Sequence, residues 1–177
     1  RYRCPTCGMS LWHPIERLGV STLGLYDDAR YPGRCLVVLD DHYEDMADIP
    51  EFLAIQLLRD ALLASRAVKA AVRARRINYA VLGNKQPHIH YHLIPRFDFG
   101  DPAPGESPWH VSRPIEALGE LRRSDIMASI RRELGHQEKI REISLCERIM
   151  PVTIALDEPS VAEVSVARQL EDRAKTE

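Results

Sequence analysis

The sequence predicts an α+β domain over residues 1–134, with a mainly antiparallel sheet and two helices, followed by a C-terminal extension over residues 135–177. Three observations carry this. Residues 88–94, His88-Ile89-His90-Tyr91-His92-Leu93-Ile94, alternate histidine with other residues at period two, the spacing of a strand. Arg34-Cys35-Leu36-Val37-Val38-Leu39 is a β-branched run of strand length. Between them, over residues 49–76, Phe52, Leu53, Leu57, Leu58, Ala61, Leu62, Val68 and Val72 supply most of a helical apolar stripe.

In chain order, Cys4 and Cys7 form a C-x-x-C pair, while Cys35 and Cys146 stand alone. The residues after the pair, Gly8-Met9-Ser10-Leu11-Trp12-His13-Pro14, do not read as the helix whose N-terminus would activate a redox thiol, so metal binding is the better reading. Two thiolates then need two further ligands from distant sequence, and histidines are the available type. Residues 14–40 read as short strands punctuated by Gly19, Gly24 and Pro32-Gly33, with Cys35 in the core and His42 just past a strand end. Helix 49–76 has Pro50 in its first turn and Arg73, Arg75 and Arg76 in its last, where cations suit the helix dipole. Strand 77–82, a turn at Gly83-Asn84 and strand 88–94 form a hairpin, ended by Pro95, which lacks a backbone donor. Residues 97–114 are a Gly- and Pro-rich loop holding Trp109, a ring suited to lie against a bound ligand or to anchor packing. A second helix over 115–134 is weakened at Gly119, and a strand over 151–156 and a polar helix or tail over 161–175 complete the expectation.

On a strand, His88, His90 and His92 project from one face, with neighbours roughly 6 to 7 Å apart. On a helix they would splay by about 200 degrees per step and share no site. Imidazoles are poor core material, because each ring brings two polar nitrogens that need partners when buried. The row therefore reads as a site, or as a solvated strand face.

A content of 45% hydrophobic and 28% charged residues is that of a soluble globular protein. No apolar run approaches the ~18 residues of a membrane span, and no targeting segment is visible. The net charge of -2 offers no bulk attraction to a nucleic-acid polymer. A cytoplasmic location is expected.

The run His88-x-His90-x-His92-Leu93-Ile94-Pro95-Arg96 resembles the signature of the histidine-triad nucleotide hydrolase and transferase superfamily. Tyr31-Pro32-Gly33-Arg34-Cys35-Leu36-Val37-Val38, with His42 and Met46-Ala47-Asp48-Ile49, resembles that family's Pro-Gly strand and the histidine before its long helix. With the C-x-x-C, the likeness covers roughly residues 4–110. It is greatest to the bacterial diadenosine polyphosphate hydrolase-like branch with a zinc site. His92, in place of glutamine, sets the chain apart from the uridylyltransferase and polyphosphate phosphorylase branches.

This resemblance implies a strongly curved sheet, a homodimer and a structural Zn²⁺ held by Cys4, Cys7, His42 and His88. Two thiolates and two neutral imidazoles make a closed, charge-neutral tetrahedral site. It implies His90 as nucleophile towards the α-phosphorus of a nucleotide, while His92 binds phosphate oxygens, protonates the leaving group or only orients His90. Asn84 and Gln86 fall where relatives supply amide contacts to phosphate, although the longer Gly-rich loop of other branches is replaced here. Asp27 and Asp28 fall where relatives hold the ribose; turn aspartates are the alternative. The implied reaction is hydrolysis of a nucleoside phosphate conjugate, a dinucleoside polyphosphate or a nucleoside phosphoramidate, through a nucleotidyl-histidine. The same nucleophile serves nucleotidyl transfer or phosphorolysis, and a non-catalytic zinc-stabilised nucleotide-binding module is the further alternative.

Overall fold

A computed structural model of the 177-residue chain describes residues 2–149. The elements are β1 (His13–Arg17), β2 (Ser21–Leu25), β3 (Cys35–Leu39), α1 (Glu51–Ala71), β4 (Arg76–Ala80), β5 (His90–Arg96), a 3-10 turn (Pro108–His110) and α2 (Glu120–Ile149). The strands form one antiparallel sheet in the order β1-β2-β3-β5-β4. The predicted α+β class therefore holds. The strand and helix expected over 151–156 and 161–175 lie outside the described residues.

Several boundaries differ from expectation, each for a local reason. Helix α1 stops at Ala71, and Arg76 already opens β4. Arg73 takes a left-handed φ of 53°, while its N–H reaches the Ala70 carbonyl and the Ala74 N–H reaches the Lys69 carbonyl. That is a Schellman stop with arginine where glycine is usual. Gly24, expected in a turn, lies inside β2, where a Cβ would come within 2.9 Å of Leu11. Its bare backbone admits the N-terminal segment onto the sheet. Strand β5 begins at His90 and runs through Pro95, whose pairing with Ile77 of β4 persists after pairing with β3 has ended at Leu93. Helix α2 starts after Gly119 and continues past residue 134.

One sheet face and α1 make the main core. Leu23, Leu25, Cys35, Val37, Leu39 and Leu93 pack with Leu53, Leu57, Ala64 and Val68, and Ile130 and Leu134 of α2 join them. The buried stripe of α1 is narrower than predicted. Phe52, Leu58 and Leu62 point outward, and small Ala61, Ala64 and Ala67 bring the helix down on the sheet. Asp60 pins the β1–β2 turn to α1, accepting from Gly19 N (3.2 Å), Val20 N (2.9 Å) and Ser21 Oγ (2.7 Å). On the opposite face Cys4, Met9 and Leu11 cover Leu36 and Val38, which lie across from His92 and His90 in the ladder. No helix among the described residues is long and apolar enough to cross a membrane.

Candidate active site and metal cluster

The N-terminal segment folds back on itself. Cys4 N donates to the Met9 carbonyl at 2.8 Å, Gly8 N to the Cys4 carbonyl at 3.0 Å and Leu11 N to the Tyr2 carbonyl at 3.2 Å, with Gly8 at φ 76° making the turn. This tight knuckle aims both thiols at the sheet. Cys4, Cys7, His42 and His88 each bring one ligand atom into a group whose members all lie within 4.8 Å of one another. Within it, Cys7 Sγ is 3.4 Å from His88 Nδ1, Cys4 Sγ is 3.8 Å from His42 Nδ1, and the two Nδ1 atoms are 3.4 Å apart. A zinc tetrahedron with bonds of about 2.0–2.3 Å has edges of about 3.3–3.8 Å, so these residues fit the ion.

The protonation pattern agrees. His88 Nε2 sits 2.7 Å from the Leu39 carbonyl, which can only accept, so the hydrogen is on Nε2 and Nδ1 is bare towards the thiols. Burial lowers the His88 pKa further, keeping the ring neutral. Burial acts to raise the Cys4 thiol, but the amides of Cys7 and Thr6 outweigh it and bring it to about 7. Burial and the adjacent Cys4 push Cys7 up. A cation between the four groups would remove that conflict.

His90 is the first residue of β5, and its Nδ1 lies 2.7 Å from the His88 backbone carbonyl. The carbonyl accepts, so Nδ1 carries the hydrogen and Nε2 is left bare, as a nucleophilic imidazole requires. His92 stands beside it with ring centroids 4.9 Å apart at 71°. Its walls are the Trp109 ring at 5.7 Å and the Tyr26 ring at 6.3 Å, both edge-on. Burial, the Arg34 charge and His90 lower the His92 pKa to about 3. The loop leading to the 3-10 turn that carries Trp109 is held by Arg96, which is buried and donates to Asp101, to Asn78 Oδ1 at 2.7 Å, to the Glu106 carbonyl at 3.0 Å and to the Ala103 carbonyl.

The remaining residues singled out from sequence fall elsewhere. Asp28 is fully buried, and its oxygens accept from Arg30 N, Nε and Nη2 and from Arg34 Nη1, at 2.9–3.1 Å. Burial opposes its charge, but these donors hold the carboxyl below its ordinary range. Asp27 accepts from Leu118 N at 2.7 Å and from Arg123 Nη1 at 3.0 Å, tying the start of α2 to the sheet. In this arrangement both carboxylates are engaged by arginine, and neither presents a free oxygen pair to a ribose diol. Asn84 and Gln86 lie exposed in the turn before His88, and the Gln86 carbonyl receives the His88 N–H at 2.8 Å. Arg34 and Arg96 fall inside the two runs that carry the family resemblance, but no role was assigned to either from sequence; both are buried in the structure.

The HIT domain family model matches residues 20–99. Among solved structures, a histidine triad protein from Bradyrhizobium japonicum is similar at 30% identity and a TM-score of 0.63, over 68% of this chain and 89% of that one. Another, from Sinorhizobium meliloti, is similar at 25% identity and 0.63, over 68% and 88%. A Zn-bound histidine triad family protein from Mycobacterium smegmatis shares the fold at 18% identity and 0.54, over 72% and 86%. No curated protein sequence matches significantly. With the three alternate histidines on one strand start, the Pro-Gly strand beside them and the helix beneath, the chain belongs to the histidine triad family.

Proposed function

We propose that the protein is a nucleotide hydrolase that cleaves a nucleoside phosphate conjugate through a covalent intermediate on His90. The carrying observation is the 2.7 Å hydrogen bond from His90 Nδ1 to the His88 carbonyl, which leaves Nε2 unprotonated beside His92. In the first step Nε2 attacks the α-phosphorus and the bond to the leaving group breaks, its electron pair departing with that group. Water then attacks the phosphorus, the P–N bond returns its pair to Nε2, and the water proton is released as the nucleoside monophosphate forms. Cys4, Cys7, His42 and His88 would hold a structural zinc ion, which the zinc-bound M. smegmatis relative supports. Such an ion would tie the N-terminal knuckle to the strand that carries the nucleophile.

A second copy of the chain is the expected partner. Phe52, Ile55, Leu58 and Leu62 are exposed apolar residues of α1, as are Tyr79 of β4, an edge strand of the sheet, and Val81 and Leu82 just past it. Exposed apolar residues at an edge strand suit pairing of two sheets. The unpaired thiols Cys4, Cys7 and Cys35 suit the reducing cytoplasm.

Incubation with a dinucleoside polyphosphate and a nucleoside phosphoramidate, with labelled phosphate present, tests the reaction. A nucleoside monophosphate without label supports hydrolysis, and a labelled nucleoside diphosphate would reassign the chain as a phosphorylase.

A further inference from the structure

Arg34 ends the loop before β3, is 5% exposed, and has no part in the scheme above. Its guanidinium lies 4.2 Å over the Tyr26 ring and 5.6 Å from the Trp109 ring. Nη1 donates to Asp28 Oδ2 at 2.9 Å, and Nη2 sits 3.4 Å from His92 Nδ1. Nε is buried without any acceptor. The group is thus oriented to serve Asp28 and His92, and leaves one of its own donors unsatisfied. Arg30 also grips Asp28 through Nε and Nη2 at 2.9 Å, so the carboxylate fixes both guanidiniums at once.

A guanidinium has donors only. The His92 nitrogen facing it must therefore be a bare acceptor, which places the hydrogen of the neutral ring on Nε2. Doubly protonated, the ring would turn an N–H onto a cation inside a wall closed by Tyr26 and Trp109. Burial depresses its pKa most, and the Arg34 charge and His90 lower it further. The neighbouring imidazoles then differ in kind. A carbonyl holds the hydrogen of His90 on Nδ1, and an arginine holds that of His92 on Nε2.

We infer that Arg34 is a positioning residue that locks His92 as a neutral Nε2–H donor, and that this suits the site to anhydride-linked substrates such as dinucleoside polyphosphates in preference to phosphoramidates. The inference rests on His90 as nucleophile. A neutral imidazole would become an imidazolate if it gave its proton away, so His92 stabilises the leaving oxygen by a hydrogen bond and transfers no proton. In the step concerned, the bond from His90 Nε2 to phosphorus forms, the bond from phosphorus to the bridging oxygen breaks, and the electron pair leaves on that oxygen. A phosphate oxygen is a stable anion near neutral pH, its second pKa being about 6. An amine leaving group needs a proton, which this His92 does not supply.

Nitrogen-15 NMR of the histidine rings in the full-length protein, with Arg34→Lys and Arg34→Met, reads the tautomer without any turnover. In the wild type His92 should show a bare Nδ1 and a protonated Nε2. In Arg34→Met the ring should become a tautomer mixture that takes up a proton at a higher pH than in the wild type, though still below the ordinary imidazole value because burial remains. Arg34→Lys should keep the charge beside Asp28 yet also loosen the tautomer, because one ammonium has no fork to span both partners; this variant decides the matter if Arg34→Met does not fold. The ratio of kcat/KM for dinucleoside polyphosphate over phosphoramidate should exceed one in the wild type and fall on the order of tenfold in the variants, as expected when one charged hydrogen bond is lost. A His92 hydrogen on Nδ1, or a tautomer unmoved in the variants, overturns the positioning role. A wild-type preference for phosphoramidate overturns the substrate class. An arginine-dependent tautomer with no turnover of either substrate would instead count against the hydrolase reading and leave the positioning role standing.

Discussion

The two faces of the sheet are buried by different means. Against α1 and α2 the surface is Leu23, Leu25, Val37, Leu39 and Leu93, and it is held by removal of apolar area from water. On the other face His88 and His90 are equally hidden, but one nitrogen of each triad ring is held by a named partner: a carbonyl for His88 Nε2, a carbonyl for His90 Nδ1, a guanidinium for His92 Nδ1. Burial that tolerates substitution by size differs from burial that depends on a donor meeting an acceptor. The first face carries stability with little chemistry, the second carries chemistry on a smaller apolar patch.

That contrast can be broken most sharply at His90. Replacement by asparagine should lower turnover by roughly a thousandfold or more while the melting temperature moves little; steady-state rates beside a thermal melt check both halves. Next comes the knuckle. Cys4→Ser/Cys7→Ser should lose bound zinc, measured by elemental analysis, and destabilise the fold by several kcal/mol on the order of a structural site's contribution. Retention of zinc in that double variant would remove the two thiols from the ligand set. On the apolar face Leu57→Ala, at a fully buried position, should cost about 3 kcal/mol in urea unfolding and leave kcat unchanged.

The last test is in pH. His92 ordinarily titrates at 6.5 and is depressed to about 3 by burial, Arg34 and His90. Across that window the unfolded chain binds a proton that the folded ring refuses, so this contribution to stability is present above the ordinary value and is lost as pH falls towards the folded one. Urea midpoints of wild type and His92→Asn at a series of pH values should therefore diverge above and converge below that window. Parallel curves would mean that His92 is not held neutral.

Period-two spacing was enough to place His90 and His92 side by side, because alternation on a strand needs no knowledge of the partner strand. The end of α1 was not legible. Arg73 adopts the left-handed conformation that a glycine would have announced, and arginine carries no such mark. Phe52, Leu58 and Leu62 fit the apolar stripe but lie outside it, because alanines decide which face comes closest to the sheet. Asp27 and Asp28 matched a ribose position in the chain, yet Arg123 is far along the sequence from Asp27, and Arg34 reaches back across the Pro-Gly turn. Which cation claims a carboxylate is a tertiary fact. Of the cluster Cys4, Cys7, His42 and His88, the thiol pair by itself called only for two further ligands from distant sequence, and the family resemblance pointed to His42 and His88.

His88 faces two ways at once, its ring towards the thiols and its carbonyl towards the His90 ring. A tilt of that single residue would shift both ends together, linking the position of the thiol cluster to that of the His90 ring. Whatever displaces the thiols would then be felt at the His90 ring as well as in the stability of the fold.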